Sequence, residues 1–376
     1  MSDRNASASP SSPARLSGAM EEVFCQLLRT AVDREASDVH LIPGFPATLR
    51  IHGRLVGLSK ELLDPGAVAQ FARIIVPAAQ WDAVSTAKNV DLSIAVTHGN
   101  RSCRFRANVF HAQGHWCACL RHVPEAIPAL DWMGFPEGLA RRLIAYPNGL
   151  VIITGVTGSG KSTTLAALVD LMNHDGGRRI ITVEEPIEYV HGPVSSTVVT
   201  QREVGRDVDS FFDGLKYGLR QDPDVILLGE IRDRDTAQMA LSAAETGHLI
   251  LTTLHTKDAK GAVTRFVDLF PHDAQDDVRT QLALSLRSVV SQHLLAAAKD
   301  GAKRVLAMEV MHVTQPVRSA IRQGKIESIE SAIQTGRRDG MVTLDESLRE
   351  LLNAGRISLD TARRFAKDPA HLRIGG

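Results

Sequence analysis

The chain has 376 residues, of which 44% are hydrophobic, and its 43 basic and 43 acidic residues give a formal net charge of zero. This length predicts two or three domains, and the neutral balance argues against a global basic field for nucleic acid. The four cysteines lack metal-ligand spacing and indicate neither a zinc site nor a disulfide framework. With no apolar run long enough to span a bilayer and no signal-peptide core, a cytoplasmic location is expected.

The N-terminal third predicts a disordered tail followed by a small domain. Residues 1–18 are rich in Ser, Ala and Pro, which predicts disorder. Residues 19–125 then indicate an α+β domain, with Phe24 and Leu28 on one helical face and a hairpin turning at Gly53. A helix is expected over 66–83, and strands that alternate apolar and polar side chains are expected over 91–97, 103–111 and 115–122.

Three arginines lie in the last strands of this first domain. Arg104, Arg106 and Arg121 alternate with apolar neighbours. The residues alone favour an ordinary interpretation, in which these side chains occupy a solvated strand face.

A second domain follows a linker that is rich in Pro and Gly, residues 126–138. Four apolar runs separated by helical patterns predict a parallel sheet covered on both faces, within a domain that spans 139–312. The runs are Leu150–Thr154, Ile180–Val183, Val225–Leu228 and Leu249–Leu254.

A phosphate-binding loop follows the first of these runs. Gly155, Gly160, Lys161 and Ser162 fit the pattern G-x-x-x-x-G-K-[ST], in which backbone N–H groups and a helix amino end cradle phosphate. Lys161 is expected to reach the β- and γ-phosphates, and Ser162 to ligate Mg²⁺. The residues predicted to hold ATP are Gly155, Thr157, Gly158, Ser159, Gly160, Lys161, Ser162 and Thr163.

The other strand ends also carry side chains that could take part in catalysis or metal binding. In an open parallel sheet, ligands bind beyond the carboxyl ends of the strands, which predicts one shared site. Glu230 ends a Walker B-like strand and is expected to hold Mg²⁺ through water or to orient the attacking water. The acids Glu184, Glu185 and Glu188 follow another strand, and spacing alone leaves their roles open.

Two histidines bracket the fourth apolar run. His248 and His255 lie seven residues apart, which in a strand means opposite faces and a separation of about 23 Å. They therefore cannot share a ligand. His255 is a candidate sensor of the γ-phosphate, whereas His248 is expected to pack or cap.

The C-terminal part is predicted to be mainly helical. A helix is expected over 277–295 and a last strand over 303–311, and helical patterns fill the region 313–376. Thr343 and Glu346 have the spacing of a capping box, with Leu344, Leu348 and Leu351 as the buried stripe behind it.

Ordered motifs in the second domain resemble the type II/IV secretion ATPase superfamily. In that family's order they are Walker A, Asp box, Walker B and His box. They lie at Gly155–Thr164, Ile181–His191, Gln201–Gly205, Leu219–Arg232 and Ala244–Thr256. In the first domain Ala36–Leu41 and Leu49–Gly53 resemble the family's PAS-like domain, and Val317–Arg322 and Gly340–Asp345 resemble its pilus retraction members.

The resemblance implies a RecA-like ATPase core and a homohexameric ring with ATP bound between domains at subunit boundaries. It implies Glu230 as catalytic base or water-positioning residue, Glu184 as the Asp-box acid, and His248 and His255 as His-box residues. It also gives Arg106 and Arg121, with Arg104 as a further candidate, the role of neutralising phosphate charge. The expected partners are an inner-membrane pilus platform protein and sister pilus motors.

Some positions depart from the family pattern. Glu185 stands where the second Asp-box acid is usually Asp, and Ser319 stands where the retraction segment usually has Asn. The four-cysteine zinc element typical of pilus extension and type II secretion members is absent from the sequence, which favours the retraction branch.

The resemblance therefore predicts a hexameric ATPase that drives type IV pilus retraction and twitching motility. A secretion or pilus-assembly ATPase is the alternative within the same enzyme class. A DNA translocase, disfavoured by the neutral charge, and a non-catalytic ring subunit, disfavoured by the presence of Lys161, Ser162 and Glu230, are the alternatives from other classes.

Overall fold

The computed structural model of the chain describes residues 18–51, 53–99, 101–123, 126–299 and 302–369. The chain divides into two compact units between Ala126 and Ile127. The tail predicted for residues 1–18 lies outside the described residues, apart from Gly18. Among the described helices, none has both the length and the apolar composition that crossing a membrane requires.

The first unit is an antiparallel six-stranded sheet with helices on one face. The strand order is β3-β2-β1-β6-β5-β4, and the apolar strand residues pack with Phe24 and Leu28 of the first helix. The elements are α1 (Ala19–Asp33), β1 (Asp38–Leu41), β2 (Thr48–Ile51), β3 (Arg54–Gly57), α2 (Pro65–Ile75), α3 (Trp81–Ala87), β4 (Asn89–His98), β5 (Arg101–Ala112) and β6 (His115–Val123).

The alternating strands and the hairpin of this unit are confirmed, but the helix expected over 66–83 is two helices. α2 ends at Ile75, and Val76 is extended with ψ of 125°. The residue before a proline is disfavoured in the α region, and Pro77 follows here. The chain resumes as a 3₁₀ turn and then as α3.

The second unit is built on a seven-stranded sheet in the order β13-β12-β7-β11-β10-β8-β9. The strands from β12 to β9 run parallel, and only β13 is antiparallel to its neighbour. The strands are β7 (Gly149–Thr154), β8 (Arg179–Glu184), β9 (Val198–Glu203), β10 (Val225–Leu228), β11 (Leu249–Leu254), β12 (Leu286–Leu295) and β13 (Val305–His312).

Helices cover both faces of this sheet, as the uninterrupted apolar runs predict. Every residue of β7, β10 and β11 is buried, so the α/β architecture with a parallel sheet is confirmed. The helices are α4 (Leu130–Met133), α5 (Glu137–Ile144), α6 (Lys161–Asp175), α7 (Phe211–Gly218), α8 (Arg234–Glu245), α9 (Ala259–Val267), α10 (Gln275–Ser285), α11 (Gln315–Arg322), α12 (Ser328–Thr335), α13 (Leu344–Asn353) and α14 (Leu359–Phe365).

The prediction of a helix over 277–295 is wrong for the second half of that range. α10 ends at Ser285, and β12 begins at Leu286, which pairs with Leu150. Leu286 and Val289 continue the helical spacing of Val278 and Leu282, so spacing alone cannot distinguish this buried strand from a helix. Tertiary pairing decides the outcome.

Two other segments extend the core of the second unit. The stretch 126–138, expected as a linker, contains α4, and its Phe135 packs against Leu143 of α5. At the C-terminal side, the capping box of Thr343 and Glu346 is present. Leu352, rather than the predicted Leu351, completes the buried stripe of α13.

Candidate active site

A glycine-rich loop, residues 155–160, joins β7 to α6 at the carboxyl edge of the sheet. Gly155 and Gly160 have φ angles of 148° and 92°, which L side chains rarely adopt. A Cβ atom on Gly155 would lie 2.4 Å from the Ser159 Oγ and 2.5 Å from the Gln292 carbonyl oxygen. The loop therefore requires glycine here, and it leads into a helix amino end, which favours an anion.

Lys161 is the first residue of α6 and is 8% exposed. Its Nζ donates to the carbonyl oxygens of Gly155 at 3.0 Å and Val156 at 3.3 Å. Burial lowers the pKa of this lysine, while the carboxylates of Glu230 and Glu188 act in the opposite direction. Acids from two different strand ends thus lie within electrostatic reach of the lysine.

Glu230 lies just beyond β10 and is 8% exposed. Its Oε2 is 3.0 Å from the His255 Nε2, and its Oε1 pairs with the Arg232 guanidinium. Arg232 also donates to the Glu185 Oε2 at 3.3 Å. A row of ion pairs and hydrogen bonds therefore joins the ends of β8, β10 and β11, and each oxygen of Glu230 has a side-chain partner.

Glu184 has a different environment from Glu188, although both belong to the same segment. The Glu184 Oε1 accepts hydrogen bonds from the Thr182 Oγ1 at 2.6 Å and the Gln201 Nε2 at 3.1 Å. Burial raises the pKa of Glu184, as does the charge of Glu188. Glu184 is thus held within its own sheet edge, and Glu188 is the acid of this segment that influences Lys161.

Two hydrogen bonds fasten the first turn of α6 to neighbouring elements. The Thr163 Oγ1 lies 3.2 Å from the Tyr189 hydroxyl, and Tyr189 directly follows Glu188. The buried Gln292 amide of β12 donates to the Thr164 Oγ1 at 2.7 Å. The phosphate loop, the acidic segment and β12 are therefore linked through α6.

The three arginines singled out from the sequence lie in the sheet of the first unit. Arg106 of β5 is directly opposite Arg121 of β6. The Arg121 Nε donates to the Asp38 Oδ1 at 2.9 Å, and a terminal nitrogen of Arg104, Nη1, is buried without a hydrogen-bond partner within the described residues. Their role toward a nucleotide stays a prediction.

His248 lies at the amino end of β11, opposite the end that carries His255. Its Nδ1 is 3.1 Å from the Ala243 carbonyl oxygen, near the end of α8. The structure therefore brings Lys161, Glu230 and His255 together and leaves His248 apart from them.

The site contains few groups that could ligate a metal ion directly. No cluster of three or more His, Cys, Asp or Glu side chains suited to a metal occurs in the described ranges. Mg²⁺ commonly uses one or two protein ligands and completes its shell with water and phosphate oxygens. The exposed Ser162 hydroxyl, with the Glu230 carboxylate acting through water, fits that chemistry.

The structure gives roles at this site to three side chains that sequence patterns do not assign. Spacing alone leaves the role of Glu188 open, Arg232 follows Glu230 by two residues without belonging to a predicted site, and Gln292 falls in a segment predicted to be helical. No local pattern identifies Gln292, because its neighbours Ser291 and His293 are also polar. Only folding brings Arg232 to Glu185, because these residues lie far apart in the chain.

Comparisons with known proteins agree with this geometry. The sequence model of the family described as type II/IV secretion system protein matches residues 14–373. The type IV pilus retraction ATPase PilT of Pseudomonas aeruginosa is 40% identical over 92% of this chain and 98% of its own length. A crystal structure of the pilus retraction motor PilT with bound ADP superimposes with a TM-score of 0.83, at 38% identity over 92% of this chain and 97% of that chain. The Legionella pneumophila ATPase DotB gives a TM-score of 0.78, at 28% identity over 94% of this chain and 97% of that chain.

Proposed function

The chain belongs to the type II/IV secretion system protein family, and we propose that it is a homohexameric ATPase that couples ATP hydrolysis to retraction of a type IV pilus. Similarity to PilT over 92% of the chain supports the assignment to a type IV pilus, and to its retraction rather than its assembly. The observation that carries the activity is the placement of the buried Glu230 carboxylate, which contacts His255 and lies within electrostatic reach of Lys161.

We assign the following roles to the residues of the site. The loop 155–160 and the amino end of α6 bind the ATP phosphates, and Lys161 contacts the β- and γ-phosphates. Glu230 orients the attacking water and accepts its proton, while His255 fixes the carboxylate. Glu184 holds the Asp-box segment in place through Thr182 and Gln201.

Mg²⁺ is part of this proposal. Ser162 would ligate it directly and Glu230 through water, and when bound the ion neutralises charge on the phosphates. Arg106 and Arg121, with Arg104, would supply further positive charge from the first unit. Removing such an arginine is expected to lower the rate by about 10³-fold or more.

The proposed location is the cytoplasmic face of the inner membrane, where the ring would act on the pilus platform protein and alongside other pilus motor ATPases. Peripheral attachment, rather than insertion, is proposed. No direct contact with nucleic acid is part of this function, in keeping with the zero net charge.

Turnover of Mg²⁺-ATP by the purified chain tests the enzymatic part of the proposal. We expect Lys161→Ala to abolish nucleotide binding and turnover. Glu230→Gln should retain ATP binding but lose roughly 10²-fold or more in kcat, because a general base has been removed. Glu350→Gln, on the exposed face of α13, is the matched control and should be unchanged. Normal turnover by Glu230→Gln would contradict the assignment.

Deletion of the gene tests the biological part. We expect cells with abundant pili that do not retract, restored by the wild-type gene but not by Lys161→Ala. Cells without pili would instead indicate a role in assembly.

A secretion ATPase is the second candidate. It is favoured by the family match itself, because the family is described as type II/IV secretion system protein. Normal pilus retraction together with loss of protein secretion in the deletion strain would select it. DNA-stimulated, steeply salt-dependent turnover would select a translocase.

A further inference from the structure

A buried carboxylate in β13 depends on a cation from the last described segment of the chain. Glu309 is 2% exposed. Its Oε1 accepts a hydrogen bond from the Ala259 backbone N–H at 2.9 Å, and its Oε2 accepts one from the Lys367 Nζ at 2.8 Å. An unpaired buried charge is strongly unfavourable, so Lys367 compensates Glu309.

Lys367 also contacts acids on other elements. Its Nζ lies 3.8 Å from the Asp258 Oδ2 and 3.6 Å from the Glu330 Oε1. Burial lowers the pKa of Lys367, but the hydrogen bond that Lys367 donates to Glu309 and the charges of the other acids outweigh this effect and raise the pKa above its ordinary value. The side chain therefore remains charged where β13, α9 and α12 meet.

The backbone at Lys367 is fixed as well. The N–H groups of Lys367 and Asp368 donate to the two carboxylate oxygens of Asp345, at 2.8 Å and 3.0 Å. Asp345 lies in the first turn of α13. The backbone of residues 367–368 is thus bound to α13, and the Lys367 side chain contacts the start of α9.

The start of α9 is the element on which these contacts converge. Asp258 is its N-cap and accepts from the Gly261 N–H at 2.7 Å, while the Ala259 N–H is satisfied by Glu309. The helix therefore begins at a point defined by two acids, and Lys367 contacts both.

The loop between β11 and α9 carries His255, and the two residues after His255 form hydrogen bonds with neighbouring strands. The Thr256 N–H donates to the Thr154 Oγ1 at 3.0 Å. The Lys257 carbonyl oxygen accepts from the Ser291 Oγ at 2.8 Å and is 2.9 Å from the His293 Nε2. The position of His255 is therefore set by the loop anchors, including the one at Asp258.

A second contact from the same C-terminal segment supports this loop. The Phe365 ring stands edge-on to the His293 ring, with centroids 6.2 Å apart and an interplanar angle of 72°. His293 is the residue that contacts the Lys257 carbonyl oxygen. Residues 365–367 thus support the loop through two contacts, that of Phe365 with His293 and that of Lys367 with Asp258.

We propose that Lys367 is a positioning residue for hydrolysis: by pairing with Glu309 and Asp258 it fixes the loop that presents His255 to Glu230. This inference rests on the proposed ATPase function. It assigns a role in the active site to a segment more than one hundred residues away in the chain, through contacts that make no use of the nucleotide.

Steady-state ATPase kinetics of Lys367 variants of the full chain test the proposal. We expect Lys367→Met to lower kcat by about tenfold with KM changed less than about twofold, because catalysis is sensitive to small misplacements. Lys367→Arg keeps the charge and should stay close to wild type. Lys325→Met, at an exposed lysine of the same unit, is the control and should be unchanged.

A double variant separates positioning from simple loss of stability. Lys367→Met leaves Glu309 buried and unpaired, and is expected to lower Tm. Lys367→Met with Glu309→Gln removes that charge and should recover Tm, while kcat stays low because the contact with Asp258 is still missing. Recovery of kcat together with Tm, or normal kcat in Lys367→Met, would overturn the proposal.

Hydrogen exchange gives a readout that does not depend on activity. In Lys367→Met we expect faster exchange at the amides of residues 256–261, with unchanged exchange in β7. Unchanged exchange at 256–261 would contradict the inference even if the wild-type chain hydrolyses ATP. Conversely, faster exchange in the variant of a chain without turnover would uphold the loop contact and reject the ATPase function.

Discussion

At the scale of single residues, the charged side chains of the site have different environments. Lys161 is buried and lies near Glu230 and Glu188, while Glu184 is held by hydrogen bonds within its own segment. Two unpaired carboxylates near the phosphate-binding loop would repel a bound phosphate group. Arg232 and His255 engage Glu230 and reduce that repulsion.

The hydrogen bond between Tyr189 and Thr163 yields a prediction at this scale. Tyr189→Phe should destabilise the second unit by about 1 kcal/mol, because a mostly buried hydroxyl loses its partner. Thr163→Val should have a similar effect, and the double variant should cost less than the sum of the two. Denaturant unfolding of the four proteins measures this coupling. Strict additivity would mean that the two hydroxyls do not interact.

At the scale of elements, positions of chemical importance lie where strands end and helices begin. β7, β10 and β11 each deliver side chains to the same sheet edge, and α6, α8 and α9 start there. The N-caps Asp233 and Asp258 accept hydrogen bonds from the first turns of α8 and α9. The starts of α8 and α9 are therefore fixed independently of any bound anion, whereas α6, which follows the phosphate loop, has no side-chain cap.

The capping box of α13 gives a prediction for an element remote from the nucleotide loop. The Thr343 Oγ1 accepts from the Glu346 N–H at 3.2 Å, and the Glu346 Oε2 accepts in return from the Thr343 N–H at 3.2 Å. Thr343→Ala should destabilise the second unit by about 1 kcal/mol. Thr280→Ala, on the exposed face of α10, removes no cap and is the control. Equal unfolding midpoints for the two variants would contradict this prediction.

At the scale of the whole molecule, charge is balanced overall but distributed unevenly. Ion pairs gather at the active-site edge and around Lys367, which pairs with Glu309 of β13. β12 and the end of β13 instead bury uncharged polar groups. Among these, the His312 Nδ1 lies 2.7 Å from the Ser288 Oγ, which is 3.2 Å from the Tyr146 hydroxyl. This chain of polar groups joins the segment before β7 to the far edge of the sheet.

His312 gives a prediction for the stability of the second unit as a function of pH. Burial, together with the nearby Arg142 charge, lowers the pKa of His312 to about 4, against about 6.5 in an unfolded chain. The unfolded state therefore binds the proton first as pH falls. Stability should decline by roughly 2–3 kcal/mol between pH 6.5 and pH 4 and be fully present above pH 6.5.

Unfolding of His312→Asn across the same pH range tests this assignment. The amide can replace the ring nitrogen toward Ser288 but does not titrate, so the decline should be shallower than in the wild type. Other buried histidines, such as His191 and His293, also have a lowered pKa and leave a residual slope. Identical slopes in both proteins would show that His312 does not carry the effect.

Features that depend on neighbours along the chain could be predicted from residue patterns alone. The phosphate loop, the parallel strands of the second unit and the capping box all follow from short patterns, because their glycines, apolar runs and caps act locally. The meeting of Lys161, Glu230 and His255 could also be predicted, since parallel strands place their carboxyl ends at one edge.

Features that depend on distant partners emerge only when the chain is folded. β12 is a strand because β7 and β13 pair with it, although its apolar spacing also suits a helix. Glu188 raises the pKa of Lys161, whereas the Glu184 carboxyl is held by Thr182 and Gln201. Lys367 reaches Glu309 and Asp258 only when α13 fixes the segment. Such contacts join residues far apart in the chain, and no local pattern encodes them.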